Sequence, residues 1–306
     1  MSQSHKVPRR IAIAGASGFI GSALARHLEG LGHAVIRIGR KEDPRHGHIP
    51  WDPEAGTMDA QKLAGIRIVI NLAGENIGQR WTKESRARII DSRVKTTSLL
   101  ARACASLDPK PRVLVNMSAV GYYGDREDEE VDEESPPGTG FLAEVVRQWE
   151  GAADPAREAG IRVVHPRAGL VLHPSGGVLE RLLPIFRLGA GGTIGSGRQW
   201  FSWISRTDAM HALAWAALHE SLSGPLIVAS PTPVRNAEFT KALARAVRRP
   251  ALATVPEFMV KLLFGEMGEE TVLAGQRARP SQLIESGFQF DHPTIDQALA
   301  HELNTA

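Results

Sequence analysis

The sequence predicts a doubly wound α/β fold, in which a parallel sheet carries helices on both faces and a smaller C-terminal lobe follows. Short apolar runs rich in β-branched residues alternate with helical stretches through the first half of the chain, which is typical of buried parallel strands joined by crossover helices. After about Gly169 the pattern changes to Gly- and Pro-rich loops and a helix-rich tail. We therefore expect a sheet domain over residues 8–170, with part of the sheet returning at about 200–230, and a lobe over residues 171–306.

Each element is predicted from its local pattern. The strands are short apolar runs, and the helices carry apolar residues every three or four positions. In chain order we expect strand Ile11 to Ala14, helix Ser22 to Glu29, strand Ala34 to Ile38, strand Ile66 to Asn71, helix Lys83 to Ala105, strand Arg112 to Met117, helix Gly140 to Ala159, strand Ile161 to His165, helix Asp208 to His219 and strand Leu226 to Ala229. Asp208 is the expected N-cap of its helix, with Thr207 as the alternative.

A glycine-rich turn joins the first strand to the first helix. In such a unit the first glycine makes the tight turn, the second lets backbone N–H groups approach a pyrophosphate, and the third lets the helix pack closely on the strand. The positive end of the helix favours the phosphates. The sequence therefore predicts a dinucleotide site in a Rossmann fold, with six residues in contact with the cofactor: Gly15, Ser17, Gly18, Phe19, Ile20 and Gly21.

The residues after the second strand indicate which dinucleotide is bound. NAD sites usually place an Asp or Glu there to accept a hydrogen bond from the ribose 2′-hydroxyl, whereas this chain has Gly39 and Arg40. A guanidinium suits a 2′-phosphate, so we expect NADP(H) as the cofactor. The alternative is that Arg40 is a solvated loop charge.

Two further segments are expected to contact the cofactor. Leu72, Ala73 and Gly74 follow a strand at the carboxyl edge of the sheet, where small residues let the backbone approach the ligand. Arg93 lies on the next helix, either as a polar group at the sheet edge or as an exposed helix charge.

The composition excludes several classes of function. The 36 Lys and Arg nearly balance the 34 Asp and Glu, and no basic stretch is interleaved with aromatic residues, so we expect no nucleic-acid partner. No run is long and apolar enough to span a membrane, and the N-terminus lacks the apolar part of a signal peptide, so we expect no membrane association and a cytoplasmic location.

The single Cys104 excludes an internal disulfide and a cysteine-based zinc cluster, and we expect no metal site. The acidic segment Asp125 to Glu134 is expected to be a solvated loop.

Motifs along the whole chain resemble a known family. The turn at residues 15–21, Asn71-Leu-Ala-Gly74, Ser118 before Tyr123-Gly124, and Trp203-Ile-Ser-Arg-Thr-Asp208 resemble the extended short-chain dehydrogenases/reductases, the sugar-nucleotide epimerase and dehydratase group. A narrower resemblance is to an atypical epimerase-family branch, often mislabelled as cell-division inhibitors; it is carried by Ser92-Arg93, Phe141-Leu-Ala-Glu144, Gly195-Ser-Gly-Arg-Gln-Trp200, Asn236-Ala-Glu-Phe239 and Ser286-Gly-Phe288. This resemblance implies NADP binding, a small-molecule substrate of unknown identity and a C-terminal domain of unknown function.

The chain departs from the broad family at the residues that transfer protons. Those enzymes use a Tyr followed four residues later by a Lys that lowers the phenol pKa, so that the phenol acts as a general acid or base. Here the corresponding region has Phe141 and Val145, and no lysine occurs between Lys110 and Lys241. A standard epimerase mechanism is therefore excluded, although another acid could serve a hydride transfer.

Several residues near the carboxyl edge are candidates for that acid. We predict Ser118 and Tyr122 as catalytic residues. For Ser118 the alternative is that it only ends its strand, and for Tyr122 the alternative is a core aromatic. Tyr123 is expected to be a core aromatic, Glu144 an exposed helix acid, and His165 a hydrogen-bonded core histidine.

The C-terminal half carries weaker signals. Trp200, Phe201, Trp203 and Trp215 either line an apolar pocket or pack the lobes together, and we favour packing. Gln276 and Arg277, on an expected helical stretch before Pro280, either bind an anionic substrate group or make an interlobe hydrogen bond.

Two function classes follow from these residues. The first is an NADP(H)-dependent oxidoreductase with an unusual proton donor. The second is a non-catalytic NADP(H)-binding sensor or interaction protein that has kept the nucleotide site and lost the chemistry. The oligomeric state is not predicted.

Overall fold

A mostly parallel sheet of nine strands lies at the centre of the computed structural model, which describes residues 7–40 and 47–304. The strands in these ranges are β1 (Arg10–Ala14), β2 (Ala34–Gly39), β3 (His48–Asp52), β4 (Thr57–Met58), β5 (Ile68–Asn71), β6 (Val113–Asn116), β7 (Ser118–Ala119), β8 (Glu130–Val131), β9 (Arg162–Ala168), β10 (Leu170–Leu172), β11 (Gly192–Ile194), β12 (Trp200–Phe201), β13 (Trp203–Ser205), β14 (Gly224–Val228), β15 (Val234–Arg235), β16 (Ala253–Val255) and β17 (Arg277–Ala278).

Helices cover the sheet and build the C-terminal lobe. They are α1 (Gly21–Gly30), α2 (Lys83–Ala105), α3 (Phe141–Gly151), α4 (Asp154–Glu158), α5 (Gly177–Arg187), α6 (Arg206–Leu218), α7 (Asn236–Val247), α8 (Glu257–Phe264), α9 (Glu266–Gly268), α10 (Ser281–Glu285) and α11 (Ile295–Asn304). Two 3₁₀ turns span Ala60–Leu63 and Val120–Tyr123, and a π-helical turn spans Glu269–Leu273. None of the helices in the described ranges is long and apolar enough to cross a bilayer.

The strand order confirms the doubly wound fold. The sheet runs β14-β9-β6-β5-β1-β2-β3-β4, with β7 beside β9. All pairs are parallel except β3 with β4. The chain leaves β1 first toward β2 and later toward β5, so the carboxyl ends on both sides of β1 form the crevice where α/β proteins bind ligands. Strand β14, from the C-terminal half, extends the sheet beside β9.

The two faces of β1 pack against different helices. Ile11 and Ile13 share a core with α1 and α6, whereas Ala12 and Ala14 share one with α2 and α4. This alternation follows from the two-residue period of a strand. A third core, which includes Trp203, joins β10, β13, α5, α7 and α11 in the C-terminal lobe. Cys104 is fully buried in the α2 core, and burial raises the pKa of its thiol to about 12, as expected of a small core residue.

Two helix predictions are corrected by the structure. The stretch Gly140 to Ala159 is two helices, α3 and α4, because Pro155 in the first turn of α4 cannot continue a helix from before it. Asp208 is not the N-cap of α6, and neither is Thr207. Ser205 caps this helix by accepting a hydrogen bond from the Asp208 N–H at 2.9 Å.

The C-terminal segment around residue 277 also differs from its prediction. Arg277–Ala278 is a strand rather than a helix, and it pairs with Glu130–Val131 from the acidic segment. That segment is therefore not simply a solvated loop. Glu133 is buried, and its carboxylate accepts hydrogen bonds from the N–H groups of Ile227 and Gln282 at 3.0 and 3.3 Å. Backbone groups of the C-terminal half thus hold the acidic segment in place.

Candidate functional site

The glycine turn after β1 is packed so closely that side chains are excluded. A Cβ on Gly15, whose φ is +77°, would lie 2.8 Å from the Leu72 carbonyl carbon, and one on Gly21 would lie 2.1 Å from the Gly15 oxygen. Helix α1 begins after Ile20, with no side-chain cap and no acidic residue in its first turn. The uncapped N-terminus of α1 therefore suits an anion, although the Ser22 N–H already donates to the Gly18 carbonyl at 3.0 Å.

A cavity of about 450 Å³ lies beside this turn, and we call it the Arg40 cavity. Arg40 is exposed at its wall, so this predicted 2′-phosphate ligand borders the same space as Ala73 and Gly74. The cavity is lined by Arg40, Trp51, Pro53, Glu54, Ala73, Gly74, Glu75, Arg88, Asp91, Ser92 and Thr96. Arg40 and the adjacent pair Ala73 and Gly74, which are far apart in the sequence, thus border one cavity.

A second cavity, of about 280 Å³, lies between the sheet and the C-terminal lobe. We call it the Arg93 cavity. Its wall is mainly apolar and includes Ile20 of the glycine turn, Val145 and Trp149 of α3, and Trp200 and Phe201 of the lobe. Trp203 and Trp215 do not line it; Trp203 is fully buried in the lobe core, and Trp215 packs against the core of α6. The tryptophan cluster therefore serves both packing and the cavity.

Arg93 brings a cation to this apolar wall. Its guanidinium lies 5.0 Å from the Trp149 ring centre and donates a hydrogen bond to the Ile89 carbonyl at 3.1 Å. No carboxylate of the described ranges forms an ion pair with it, and burial lowers the pKa of Arg93 to about 10. A half-buried guanidinium with spare donors favours an anionic or strongly polar ligand. Arg93 is thus a cavity residue rather than an exposed helix charge.

Ser118 belongs to a buried polar network. Its hydroxyl donates to Glu150 Oε1 at 2.5 Å, and Arg167 donates to both Glu150 oxygens at 2.8 Å. Burial by itself would raise the pKa of Glu150, but the Arg167 hydrogen bonds and charge outweigh it and hold the pKa below its usual value. Ser118 borders the Arg93 cavity, but its hydroxyl already donates its hydrogen to the Glu150 carboxylate. This geometry weighs against the predicted role of Ser118 as a proton donor.

The two tyrosines pack around Arg167. Tyr123 is fully buried, as expected of a core aromatic, and Arg167 donates to its phenol oxygen at 2.9 Å. Burial raises the pKa of this phenol well above its ordinary value. The Arg167 guanidinium lies 3.4 Å from the Tyr122 ring centre. Tyr122 is not among the residues that line the Arg93 cavity, so its predicted catalytic role gains no support from the geometry.

In this chain, the region in which the extended short-chain dehydrogenases/reductases carry their tyrosine and lysine is apolar. Phe141 is buried and its ring centre lies 4.8 Å from that of Trp81, while Val145 is part of the cavity wall. Neither can exchange a proton. Glu144, on the same helix, is partly exposed and interacts with Arg147 and Gln148 on the helix surface.

Glu270 is a site residue that the sequence prediction missed. It lies in the π-helical turn of the C-terminal segment and is the one carboxylate in the described wall of the Arg93 cavity. Its carboxylate accepts hydrogen bonds from the N–H groups of Phe141 and Leu142 at 2.8 and 2.9 Å. π-Helical turns are rare and occur frequently at functional sites. No local pattern marks Glu270, because its neighbours in the site are remote in sequence.

Three other residues of the sequence analysis make structural contacts. Gln276 borders the Arg93 cavity, but its amide donates to the Gly124 carbonyl at 2.6 Å, which is the interlobe alternative. Arg277 lies 3.4 Å from Glu130. His165 lies inside β9 rather than at its end, with Nε2 3.3 Å from Arg157, and burial lowers its pKa to about 4.

The chain is similar to proteins of one family over nearly its whole length. Residues 11–228 match the NAD dependent epimerase/dehydratase family, and residues 255–302 match a domain of unknown function, DUF1731. An epimerase family protein of Mycobacterium leprae is 46% identical over 292 residues, which are 95% of this chain and 94% of that protein.

Solved structures show the same similarity. The crystal structure of human epimerase family protein SDR39U1 with NADPH matches with a TM-score of 0.89 and 34% identity, over 97% of this chain and 100% of that chain. A nucleoside-diphosphate sugar epimerase from Corynebacterium glutamicum matches with a TM-score of 0.82 and 35% identity, over 98% of this chain and 59% of that chain.

Proposed function

Because the chain belongs to the NAD-dependent epimerase/dehydratase family and ends in the domain of unknown function that its motifs predicted, we propose that it binds NADP(H) and is an oxidoreductase of a small molecule. One arrangement carries this proposal: the glycine turn connects the two cavities. Gly15 contacts the backbone of Leu72 and Ala73 at the Arg40 cavity, while Ile20 borders the Arg93 cavity.

The residues of the first cavity fit the phosphorylated cofactor. Arg40 offers a guanidinium at its wall, where a 2′-phosphate needs a cation, and the uncapped start of α1 offers N–H groups to a pyrophosphate. The human relative crystallised with NADPH supports the same cofactor for this chain. All of the predicted contacts with the cofactor stay predictions, as does the cytoplasmic location. They are those of Gly15, Ser17, Gly18, Phe19, Ile20, Gly21, Gly39, Arg40, Leu72, Ala73, Gly74 and Arg93.

The second cavity supplies the substrate site. When bound, NADP(H) supplies or accepts a hydride. The apolar wall around Val145 and Trp149 excludes water, and the Arg93 guanidinium orients a polar group of the substrate. Glu270 is the group placed to move the proton: its carboxylate accepts the hydroxyl proton as an alcohol is oxidised, and the carboxyl returns that proton as a carbonyl is reduced.

One observation favours a second candidate function. Phe141 and Val145 occupy the region where the broad family carries its phenol and lysine, and the Ser118 hydroxyl is bound to Glu150. A chain without an effective proton donor would bind NADP(H) without turnover, as a sensor or interaction protein does.

Two measurements separate these functions. Fluorescence titration with NADPH and NADH tests the cofactor, and a panel of aldehydes, ketones and alcohols, read through absorbance of the reduced cofactor, tests the chemistry. We expect tight, NADPH-selective binding together with turnover of at least one compound. Tight binding without turnover over the whole panel would favour the sensor, and absence of NADPH binding would contradict both functions.

A further inference from the structure

Two histidines and two aspartates meet where α6 packs against the segment that precedes α11. Asp208 and His211 lie one turn apart on α6, and Asp291 and His292 lie just before α11. Ligand atoms of Asp208, His211 and Asp291 all lie within 4.8 Å of one another. This group borders neither the Arg40 cavity nor the Arg93 cavity, so the proposed function does not use it.

The donor atoms of Asp208, His211 and Asp291 lie within reach of one metal ion. His211 Nδ1 lies 2.9 Å from a carboxylate oxygen of Asp291, and His292 Nδ1 lies 3.6 Å from a carboxylate oxygen of Asp208. Zinc bonds of about 2.0–2.2 Å place the donors of a tetrahedral site about 3.3–3.6 Å apart. His211 and Asp291 would therefore move slightly apart to share one ion with Asp208, and the His292 ring would turn from Asp208 toward the same ion.

Asp208 keeps one position for a ligand. Its carboxylate accepts hydrogen bonds from the N–H groups of Asp291 and His292 at 2.8 and 3.0 Å, and from the Ser205 hydroxyl at 2.9 Å. A carboxylate has about four lone-pair sites. These bonds fix the carboxylate in place and leave one site open on Oδ1, which of these donors accepts only the Asp291 N–H.

His292 supplies an independent sign of a missing partner. Its Nδ1 is buried, faces Asp208 and has no hydrogen-bond partner among the described residues. Buried polar atoms are normally satisfied, and an exception calls for an unseen water or ion. The ring is held in this orientation by stacking on His301, with 4.1 Å between ring centres.

We propose that Asp208, His211, Asp291 and His292 bind one divalent transition-metal ion of the zinc type. The donor set decides the class of ion, because imidazole nitrogen suits zinc, copper, iron and nickel, whereas magnesium and calcium prefer oxygen alone. The bound ion links α6, which covers the sheet, to the segment that leads into α11 of the C-terminal lobe. Its role is structural. The expectation of no metal rested on cysteine, and the two donor pairs lie too far apart in sequence to form a recognisable motif.

The test uses the full chain without a histidine tag, freed of metal with a chelator. Zn²⁺ is titrated by calorimetry, and Co²⁺ is titrated by its visible absorption, which reports nitrogen and oxygen ligation. We expect one ion per chain, a thermal unfolding midpoint raised by about 3 °C or more in saturating Zn²⁺, and affinity at least about tenfold lower in both His211→Ala and Asp291→Asn. Asp291→Asn keeps the backbone N–H that Asp208 needs.

Two controls keep the result specific. His219→Ala removes a partly exposed histidine that ends the same helix outside the cluster, and it should bind Zn²⁺ as the wild type does. Circular dichroism of each variant verifies the fold. Absence of saturable binding of one ion up to about 1 mM Zn²⁺, or equal affinity in wild type, His211→Ala and Asp291→Asn, would overturn the proposal. Neither result depends on catalysis or on NADP(H).

Discussion

Glu270 accepts a hydrogen bond from the backbone N–H of Phe141 at 2.8 Å, although 129 positions separate the two residues. Gly140 makes this approach possible, because its φ is +99° and a Cβ there would lie 2.9 Å from a Glu270 oxygen. Phe141 begins the helix on which the broad family carries its phenol. A carboxylate from the C-terminal domain thus stands beside the start of a helix that has no proton-transfer group of its own facing the cavity.

We expect Glu270→Gln to lower any NADPH-linked turnover by about 10²–10⁴-fold, because the amide cannot take up or return the proton. NADPH affinity should remain unchanged, since Glu270 borders the other cavity. Steady-state rates and fluorescence titration measure the two effects. Glu269→Gln is the matched control, as Glu269 pairs with Lys261 rather than with α3. A rate in Glu270→Gln equal to wild type, or an equal loss in Tyr122→Phe, would remove Glu270 from this role.

Arg40→Ala should weaken NADPH binding by about 1.5–3 kcal/mol, the value of a hydrogen bond to a charged group. NADH binding should change little, because NADH has no 2′-phosphate. Titration of wild type and Arg40→Ala with NADPH and with NADH measures the difference in affinity. Repeating it at higher salt measures how far salt screens the attraction between Arg40 and the 2′-phosphate. Arg67→Ala, at the opposite edge of the sheet, is the control. Equal affinities of the wild type for NADPH and NADH would contradict the assignment of Arg40.

Gly18→Val should abolish cofactor binding and leave the protein folded. A Cβ at Gly18 lies 3.3 Å from the Gly15 oxygen, which a small local shift accommodates. The branched side chain nevertheless fills the space that a pyrophosphate needs. Circular dichroism tests whether the variant is folded, and NADPH titration tests whether it binds the cofactor. Gly30→Ala at the end of α1 is the control, because a Cβ there meets nothing within 4 Å. Retained affinity would mean that the phosphates lie elsewhere.

Ser118→Ala should lower the free energy of unfolding by about 1.5–3 kcal/mol, because one hydrogen bond to a buried carboxylate is lost. Arg167 still holds Glu150 in that variant, so the fold should persist. Urea unfolding measures the change, and Ser221→Ala on the exposed surface should stay within about 0.5 kcal/mol of wild type. If Ser118→Ala is as stable as wild type but loses turnover, Ser118 acts on the substrate after all.

His165 should make stability depend on pH. Its folded pKa of about 4 lies below the value of 6.5 in the unfolded chain, so below pH 6.5 the unfolded state binds a proton that the folded state does not. The contribution of neutral His165 to the free energy of unfolding is therefore complete above pH 6.5 and is lost as the pH falls toward 4. Between pH 7.5 and 5 the wild type should lose about 2 kcal/mol more than His165→Leu in urea unfolding. Parallel pH profiles of the two proteins would contradict this.

The sequence alone determined the fold class and predicted the nucleotide site, because both rest on local signals. A strand, three glycines and a helix occupy consecutive positions, and the predicted bounds of α2 match those observed. The absence of a tyrosine–lysine pair is also a local fact. Arg40, Ala73 and Gly74 could be placed together because carboxyl ends of neighbouring parallel strands share one edge of the sheet.

The tertiary structure decided what the other polar side chains do. From the sequence, Ser118 is a candidate proton donor, but in the structure its hydroxyl lies 2.5 Å from Glu150 of α3. No sequence pattern marks Glu270, but in the structure the C-terminal segment brings it to the start of α3. The bond between Asp208 and the Asp291 N–H spans 83 positions in the same way. Such contacts are set by how the helices and the lobe pack on the sheet, which depends on the summed burial of many apolar side chains rather than on any short pattern.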